Sequence, residues 1–204
     1  MKQLLALPRV YEWFQQLVGA TRSRARYIND FVKAQPGERI LDIGCGPGDI
    51  IPFLPKDCPY VGVDLSQSYI DKAKATYGDR GTFLCCPVDA VNPAEIGGEF
   101  DLVLATGVIH HLNDDEARAL FHLAAQKMKH TGRFCSLDGC YTQRQNPLAR
   151  WMLRNDRGRF VREQAAYEKL AATTFQEIQS AICTDLYRIP FTHLIMTCVK
   201  PKTT

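Results

Sequence analysis

The chain has 204 residues, of which 46% are hydrophobic and 23% are charged. This composition is typical of one soluble globular domain with an extension, and it excludes a collagen-like, low-complexity or wholly disordered chain. No apolar run approaches the ~20 residues that cross a bilayer, and the start MKQLLALPRV has too short an apolar stretch for a signal peptide. We therefore expect a cytoplasmic protein with no membrane span.

The charge distribution and the cysteines give further indications about the substrate and about metal binding. The formal net charge of +3 divides into +4 over residues 1–37, −6 over 38–140 and +5 over 141–204. Basic ends of this kind suit an anionic substrate, although an ordinary solvated surface explains them equally well. The eight cysteines form no C-x-x-C pair and lie mostly in apolar runs, so we expect reduced, buried thiols and no structural metal.

The predicted elements begin with helices and continue as alternating strands and helices. Residues 9–34 carry apolar side chains at helical spacing and predict two helices that end before Pro36. Short apolar runs then predict five strands, at 39–44, 60–65, 82–86, 100–105 and 134–137. Helices are predicted between them, at 49–54, at 66–77 with Ser66 as N-cap, and from Asn113 or Asp114 to about His130. This alternation indicates an α/β fold with right-handed crossovers and a mostly parallel sheet.

Beyond Tyr141 the alternation breaks. Leu148, Trp151 and Met152 fall on one face of a predicted helix, and a second helix is predicted at 167–175. Two extended runs follow, at 181–189 and 194–199, joined by a turn at Pro190. So short a connection predicts an antiparallel hairpin that ends the sheet.

The segment ILDIGCGPGD, residues 40–49, places three glycines between a strand and a helix. Glycines there allow a tight turn and a close approach of the backbone to a ligand, in dinucleotide enzymes as well as in others. The spacing is G-x-G-x-G, with Asp49 in the slot where dinucleotide binding requires a third glycine. Asp42 would repel a pyrophosphate but attract the ammonium and sulfonium of S-adenosylmethionine, so the loop favours that cofactor.

Two further acids end the next two strands. Asp64 follows at a distance that suits hydrogen bonds to ribose hydroxyls, which either class of cofactor would provide. Leu65 is then expected against the adenine face, and Asp89 after the third strand is suited to the adenine amino group. One such acid is readily explained as a solvated loop residue, but three after three consecutive strands are not.

Together, LDIGCGPG, GVDLS, the isolated Asp89 and FDLVLATGVIHHL resemble class I S-adenosylmethionine-dependent methyltransferases over roughly residues 36–140. The resemblance implies a Rossmann-like, doubly wound sheet of seven strands, mostly parallel with one antiparallel strand, and helices on both faces. It implies a single methyltransferase domain, made of a helical N-terminal cap (1–36), a cofactor-binding core (37–140), a lid segment (141–175) and a C-terminal hairpin (176–204). The cofactor-binding residues implied are Asp42, Gly44, Cys45, Gly46, Gly48, Asp64, Leu65, Asp89, Ala90, Thr106, Gly107 and Val108.

The reaction expected of this family is direct displacement on the sulfonium methyl by a well-positioned small-molecule acceptor. A protonated acceptor needs a general base, and His110 or His111, directly after the fourth strand, is suited to that work. Packing and loop capping are the more ordinary uses of such histidines, and His193 is expected to be structural. The segment ATGV lacks the Asn/Asp-Pro-Pro-aromatic signature of relatives that methylate base amino groups or amide nitrogens, which argues against those reactions.

The acceptor is expected to meet the two ends of the chain, because family members tend to cover the site with N-terminal helices and an insertion after the fifth strand. The candidate acceptor-binding residues are Tyr11, Phe14, Trp151, Arg154, Arg157 and Tyr167. Arginines there would hold a carboxylate or phosphate, which suggests a small acceptor with an anionic group. The protein is expected to be a monomer or a homodimer.

Three other functions stay open. Basic ends permit a nucleic-acid methyltransferase, but the modest net charge and the lack of a separate binding module argue against nucleic acid as the partner. A non-catalytic scaffold that keeps the fold is disfavoured by the intact glycines and the three acids. A nicotinamide oxidoreductase is disfavoured by the glycine spacing and by Asp42.

Overall fold

The computed structural model describes residues 19–87, 93–155 and 158–202. In these ranges the strands are β1 (Ile40–Ile43), β2 (Tyr60–Asp64), β3 (Gly81–Cys85), β4 (Phe100–Thr106), β5 (Met128–Tyr141), β6 (Arg162–Glu163), β7 (Phe175–Cys183) and β8 (His193–Pro201). They form one sheet in the order β3-β2-β1-β4-β5-β8-β7, and β6 pairs with β5 alone.

Strand direction agrees with the predicted topology. β1 is parallel to β2 and to β4, β2 is parallel to β3, and β4 is parallel to β5. β8 is antiparallel to both β5 and β7, which makes it the single antiparallel strand and confirms the terminal hairpin. The two-residue β6, which pairs Cys140 with Arg162, extends the end of β5 and was not predicted.

Helices cover both faces of the sheet, as predicted. They are α1 (Ala20–Arg26), continued by a π-helical segment (Tyr27–Val32), α2 (Gln67–Tyr77), α3 (Pro93–Ile96), α4 (Asp114–Lys127), α5 (Pro147–Asn155) and α6 (Gln164–Ala171), with 3₁₀ turns at Ile51–Phe53 and Ile109–His111. Phe121 of α4 packs with Phe134 and Phe175 in the apolar core of one face. Tyr27 and Ile70 belong to the core of the other face. No helix in the described part of the chain is long and apolar enough to cross a bilayer.

The start of α4 shows how the sequence selects a helix end. Asn113 Oδ1 accepts hydrogen bonds from the backbone N–H groups of Asp115 (2.9 Å) and Glu116 (3.0 Å). Glu116 Oε2 accepts in return from the N–H of Asn113 at 2.7 Å, which completes a capping box. The cap is therefore Asn113 rather than Asp114. The helix ends at Lys127, before the predicted His130, because the chain enters β5 at Met128.

Several predicted boundaries were wrong for identifiable reasons. The helix predicted at 49–54 is only a 3₁₀ turn, because Pro55 disfavours helical backbone at Leu54, which is extended. Ser66 holds the N-cap position of α2 without a side-chain cap, since its hydroxyl lies 3.0 Å from that of Ser68. β7 begins at Phe175, where a helix was predicted to end, and it covers only the first three residues of the strand predicted at 181–189. β7 is an edge strand with many polar side chains, so its hydrophobic signal is weak.

Ion pairs fix the described part of the N-terminal cap to the sheet. Arg24 of α1 pairs with Asp49, just after the glycine loop, at 2.7 Å. Arg26 donates to the carbonyl oxygen and the carboxylate of Asp185, in the loop before β8, at 2.9 and 3.1 Å. The cap thus stands beside the carboxyl ends of the parallel strands.

Candidate functional site

The carboxyl ends of β1 and β4 mark the point where strand order reverses, the usual ligand site of an open α/β sheet. The glycine loop follows β1, and Gly107 and Val108 follow β4. Gly44 has φ +76°, and a Cβ on it would stand 2.3 Å from Cγ2 of Val108. Both the backbone conformation and this contact require glycine, so the two loops predicted to bind one cofactor lie against each other.

Asp64 joins the end of β2 to the glycine loop. Its Oδ2 accepts a hydrogen bond from the N–H of Gly46 at 2.9 Å, and its Oδ1 accepts from the N–H of Ser66 at 2.8 Å. Each carboxylate oxygen keeps a further lone pair for a ligand hydroxyl. Leu65 beside it is 76% exposed. Cys45, in contrast, is buried beneath the loop, where its sulfur would stand 2.7 Å from a Cβ on Gly62.

Asp42 is a buried acid with one carboxylate oxygen that has no partner. The side chain is 2% exposed, and its Oδ2 accepts a 2.7 Å hydrogen bond from the hydroxyl of Tyr60. Burial, reinforced by the charge of Asp64 and opposed by the Tyr60 hydrogen bond, raises the pKa of Asp42 to about 7. A cation placed against the free Oδ1 would favour the ionised form, so this acid is suited to a positively charged ligand.

His110 forms a buried pair with Asp138 of β5, a residue that the sequence analysis missed. Asp138 Oδ1 lies 2.8 Å from Nδ1 of His110 and accepts from the backbone N–H of His110 at 3.1 Å. The side chains are 9% and 1% exposed. An acid inside the otherwise apolar strand FCSLDGC was the signal available in the sequence.

The ring of His110 is enclosed by the lid segment and the end of β4. A Cβ on Gly158 would stand 2.2 Å from Cδ2 of His110, and a Cβ on Gly107 would stand 3.9 Å from Cε1. Nε2 is bonded to both of these carbons, so it lies on the ring edge that meets the lid segment and the end of β4. The N–H of Phe160 donates to the carbonyl of His110 at 2.9 Å. The ring centroid of the exposed His111 lies 4.2 Å from the ring centroid of His110.

Buried polar atoms without hydrogen-bond partners concentrate at this edge of the sheet. In the described ranges eight such side-chain atoms occur. Six belong to Tyr27, Asp42, Thr106, Ser136, Asp138 and His193. A buried polar group without a partner costs free energy, so its presence in a folded protein calls for an explanation such as a bound ligand.

Tyr27 and His193 were not predicted to belong to this site. Tyr27 is fully buried in the π-helical segment, and burial, reinforced by the charges of Asp42 and Asp138, raises the pKa of its phenol well above the usual value. Burial and the charge of His110 lower the pKa of His193 to about 3. Both side chains are therefore neutral and near charged groups of the site. Their positions in apolar patterns made them resemble ordinary core residues.

Of the candidate acceptor-binding residues, the structure describes Trp151, Arg154 and Tyr167, and these three do not line one pocket. Tyr167 is fully buried, and its hydroxyl donates to the carbonyl of Gly139 at 2.9 Å, as in a core residue. Trp151 is 50% exposed and Arg154 is also exposed. Side chains that line a pocket are largely buried, so these two do not have the burial of pocket residues. Tyr11, Phe14, Asp89, Ala90 and Arg157 lie outside the described residues. Among the side chains that the structure describes, no group of three or more is arranged to hold a metal ion.

Comparison with known proteins agrees with this geometry. Residues 40–132 match a family model described as a methyltransferase domain. The chain is 37% identical over 101 residues to a ubiquinone biosynthesis O-methyltransferase of Rhodopseudomonas palustris, covering 47% of this chain and 38% of that protein. It is 31% identical over 98 residues to a magnesium-protoporphyrin O-methyltransferase of Synechocystis sp., covering 44% of this chain and 40% of that protein. The matched segment thus spans less than half the length of these relatives.

A solved structure extends the likeness to nearly the whole chain. The TehB-like SAM-dependent methyltransferase from Corynebacterium glutamicum has a TM-score of 0.68 at 21% identity, covering 94% of this chain and 96% of that chain. At this identity the likeness concerns the fold alone. The segment matched by the family model contains the glycine loop, Asp42, Asp64 and His110. Residues 40–132 thus match a methyltransferase domain, and nearly the whole chain shares the fold of a SAM-dependent methyltransferase.

Proposed function

We propose that this chain transfers a methyl group from S-adenosylmethionine to a hydroxyl oxygen of a small molecule, with His110 as the general base. The single observation that carries the proposal is the buried His110–Asp138 pair beside the end of β4. Two relatives named as O-methyltransferases support the choice of an oxygen acceptor.

The residues at the strand ends fit the proposed cofactor. Asp42 offers an unpartnered carboxylate oxygen to the ammonium or sulfonium, and Asp64 offers lone pairs to the ribose hydroxyls. Gly44 lets the backbone approach closely, and Thr106 brings a buried hydroxyl without a partner. When bound, S-adenosylmethionine supplies an electrophilic methyl group on a positively charged sulfur. Asp89 and Ala90 complete the proposed cofactor site at the adenine.

Asp138 prepares His110 to remove a proton. A carboxylate at Nδ1 favours the tautomer that carries its hydrogen there, which makes Nε2 the basic nitrogen of the ring. His110 Nε2 then accepts the proton of an acceptor hydroxyl as the oxygen attacks, and the buried charge of Asp138 stabilises the resulting imidazolium. His111 is exposed to solvent, so it is not assigned this role.

The lid segment keeps water from this proton transfer. Gly158 packs directly on the His110 ring. Arg162 anchors the segment by donating to the carbonyl of Leu112 and to Asp114, both at 2.7 Å. Because these donors are engaged, Arg162 is not assigned to an anionic acceptor group.

A methyl-transfer assay tests the proposal. The purified chain is incubated with S-adenosylmethionine and a panel of phenols, carboxylic acids, amines and thiols, and methylated products are identified by mass spectrometry. We expect transfer to hydroxylated acceptors, and His110→Asn to lower kcat by about 10²-fold or more with unchanged affinity for S-adenosylhomocysteine. His111→Asn is the matched control and should retain its rate. Transfer to amines or thiols alone, or an active His110→Asn variant, would contradict the proposed chemistry.

A further inference from the structure

Helix α5 of the lid segment has more apolar surface than the core covers. Ala149 and Leu153 are buried, at 1% exposure each, whereas Leu148 is 49% and Trp151 is 50% exposed. At about 100° of rotation per residue, Trp151 points away from the buried pair and Leu148 lies between the two directions. The apolar arc of this helix therefore extends well beyond the face that packs on the protein.

The lid segment also holds most of the exposed large hydrophobic side chains in the described ranges. Five such side chains occur, and Leu148, Trp151 and Phe160 are three of them. The other two, Leu65 and Tyr69, lie near the start of α2. Grouped apolar exposure of this kind marks a surface that meets a partner, whereas single exposed side chains are ordinary.

Residues 141–163 carry six arginines against Asp156 and Glu163, so positive charge predominates in this segment. Exposed arginines of the lid segment are Arg144, Arg150, Arg154 and Arg159. None of them forms an ion pair with a residue that the structure describes, and the only acid in residues 141–155 and 158–163 is Glu163. Arg150 stacks on the ring of Tyr141, 5.4 Å from its centroid. Guanidinium groups bind phosphate in bidentate fashion, so the complementary partner is anionic and carries phosphate.

We propose that the exposed face of α5 formed by Leu148 and Trp151 with Arg150 and Arg154, here called the α5 patch, docks on a bilayer that contains anionic phospholipid. Tryptophan and leucine partition into the boundary between headgroups and acyl chains, and arginines beside them contact the lipid phosphates. A nucleic acid would satisfy the arginines but leave the leucine and the outward tryptophan in water. An anionic bilayer offers acyl chains to the apolar side chains and phosphates to the arginines.

Docking through the α5 patch would place the candidate active site at the membrane surface. Gly158 and Phe160 follow α5 in the lid segment, where Gly158 packs on the His110 ring and Phe160 donates its N–H to the carbonyl of His110. An acceptor dissolved in the bilayer would thus approach the lid segment from the docked side. The docking itself does not depend on the proposed methyl transfer, so the two are tested separately.

Vesicle binding with Trp151 as the probe tests the inference. The chain has two tryptophans, and Trp13→Phe leaves Trp151 as the only one. Vesicles of pure phosphatidylcholine are compared with vesicles that contain about 30% phosphatidylglycerol. We expect at least tenfold stronger co-sedimentation with the anionic vesicles and a blue shift of the Trp151 emission. Leu148→Ser with Trp151→Ser should abolish the sedimentation, and each of Arg150→Gln and Arg154→Gln should weaken it about fivefold.

Matched variants outside the α5 patch control for general adhesion. Tyr69→Ser removes another exposed hydrophobic side chain and Lys74→Gln another exposed positive charge, and both should sediment like the parent. The inference is overturned if the anionic vesicles are not bound, if the control variants lose as much binding as the patch variants, or if Trp151 emission does not change. It is also overturned if the patch variants bind vesicles normally but lose binding to single-stranded RNA or lose a dimer.

Discussion

One carboxylate oxygen, Oδ1 of Asp138, fixes both the backbone and the ring of His110. It accepts from the backbone N–H at 3.1 Å and lies 2.8 Å from Nδ1. The two residues are 28 positions apart but meet because β4 and β5 are parallel neighbours whose carboxyl ends lie at the same edge. The strand pairing of the fold therefore sets the orientation of the proposed base.

Asp138→Asn should impair proton removal while preserving shape. The amide is close in size to the carboxylate but does not stabilise an imidazolium, so we expect kcat to fall by about 10²-fold or more. Steady-state kinetics with the best acceptor of the panel measure this, and S-adenosylhomocysteine titration should show unchanged affinity. Asp115→Asn, an exposed acid of α4, is the control. A variant as fast as the parent would remove Asp138 from the mechanism.

The buried Asp42 should make stability decline as pH rises. Its folded-state pKa of about 7 exceeds the ordinary value of 3.8, so the folded protein binds the extra proton. The stabilisation of the folded state by this protonated group is greatest below pH 3.8, the ordinary pKa, and is lost as pH rises through about 7. In Asp42→Asn, the free energy of unfolding measured with urea should depend less on pH over this range. An unchanged difference in free energy of unfolding between parent and variant across this range would show that Asp42 titrates normally.

Binding of a cationic ligand should lower the raised pKa of Asp42. A cationic ligand favours the Asp42 carboxylate, so S-adenosylhomocysteine, with its ammonium group, should release protons on binding below about pH 7. Calorimetry in two buffers of different ionisation enthalpy measures the release. Asp42→Asn should abolish the proton release and weaken the affinity. Equal heats in the two buffers for the parent protein would be evidence against contact between Asp42 and the ligand cation.

Tyr27→Phe should separate stability from binding. The hydroxyl is buried near Thr106 without a hydrogen bond of good geometry, so its removal should change the free energy of unfolding by no more than about 1 kcal/mol. We expect the affinity for S-adenosylhomocysteine to fall about fivefold to thirtyfold, because the hydroxyl lies near Asp42 and Thr106. Tyr60→Phe is the contrast, since it breaks a 2.7 Å hydrogen bond and should destabilise the protein. Equal affinity in parent and Tyr27→Phe would assign the phenol to packing.

Gly44→Ala should unfold more easily than Gly46→Ala. Both glycines have positive φ, +76° and +54°, but a Cβ on Gly44 also meets Val108 at 2.3 Å while one on Gly46 meets nothing within 4 Å. We expect a loss of about 1 kcal/mol at Gly46 and at least twice that at Gly44. Val108→Ala should rescue part of the Gly44→Ala loss in a double-mutant cycle measured by urea unfolding. Equal losses at the two glycines would show that the contact has no energetic weight.

The sequence predicted the sheet well because strand and helix periods and turn residues are local signals. The five parallel strands, the terminal hairpin and the cap of α4 all follow from patterns a few residues long. β7 was misplaced because an edge strand buries little and so has few apolar side chains. The two-residue β6 has too few residues to carry any pattern.

The candidate site was predicted only where one motif holds its residues together. Gly44, Asp42 and Asp64 come from consecutive strand ends, which a linear motif displays. Asp138 and Tyr27 reach the site through tertiary packing, from β5 and from the N-terminal cap, and no local spacing links them to His110. Tyr27 resembles a core residue in the sequence and is identified by its buried hydroxyl, whereas Asp138 is identified by its hydrogen bonds to His110.

Calorimetric titration with S-adenosylhomocysteine, with NAD⁺ as the comparison ligand, tests the proposed cofactor site most directly. The account predicts binding of S-adenosylhomocysteine with a Kd on the order of micromolar, about −8 kcal/mol, and no binding of NAD⁺. Asp64→Ala should abolish the binding, because it removes both a ligand acceptor and the anchor of the Gly46 backbone N–H. Failure of the parent protein to bind S-adenosylhomocysteine, or equal binding of NAD⁺, would contradict the account and favour a non-catalytic scaffold or a dinucleotide enzyme.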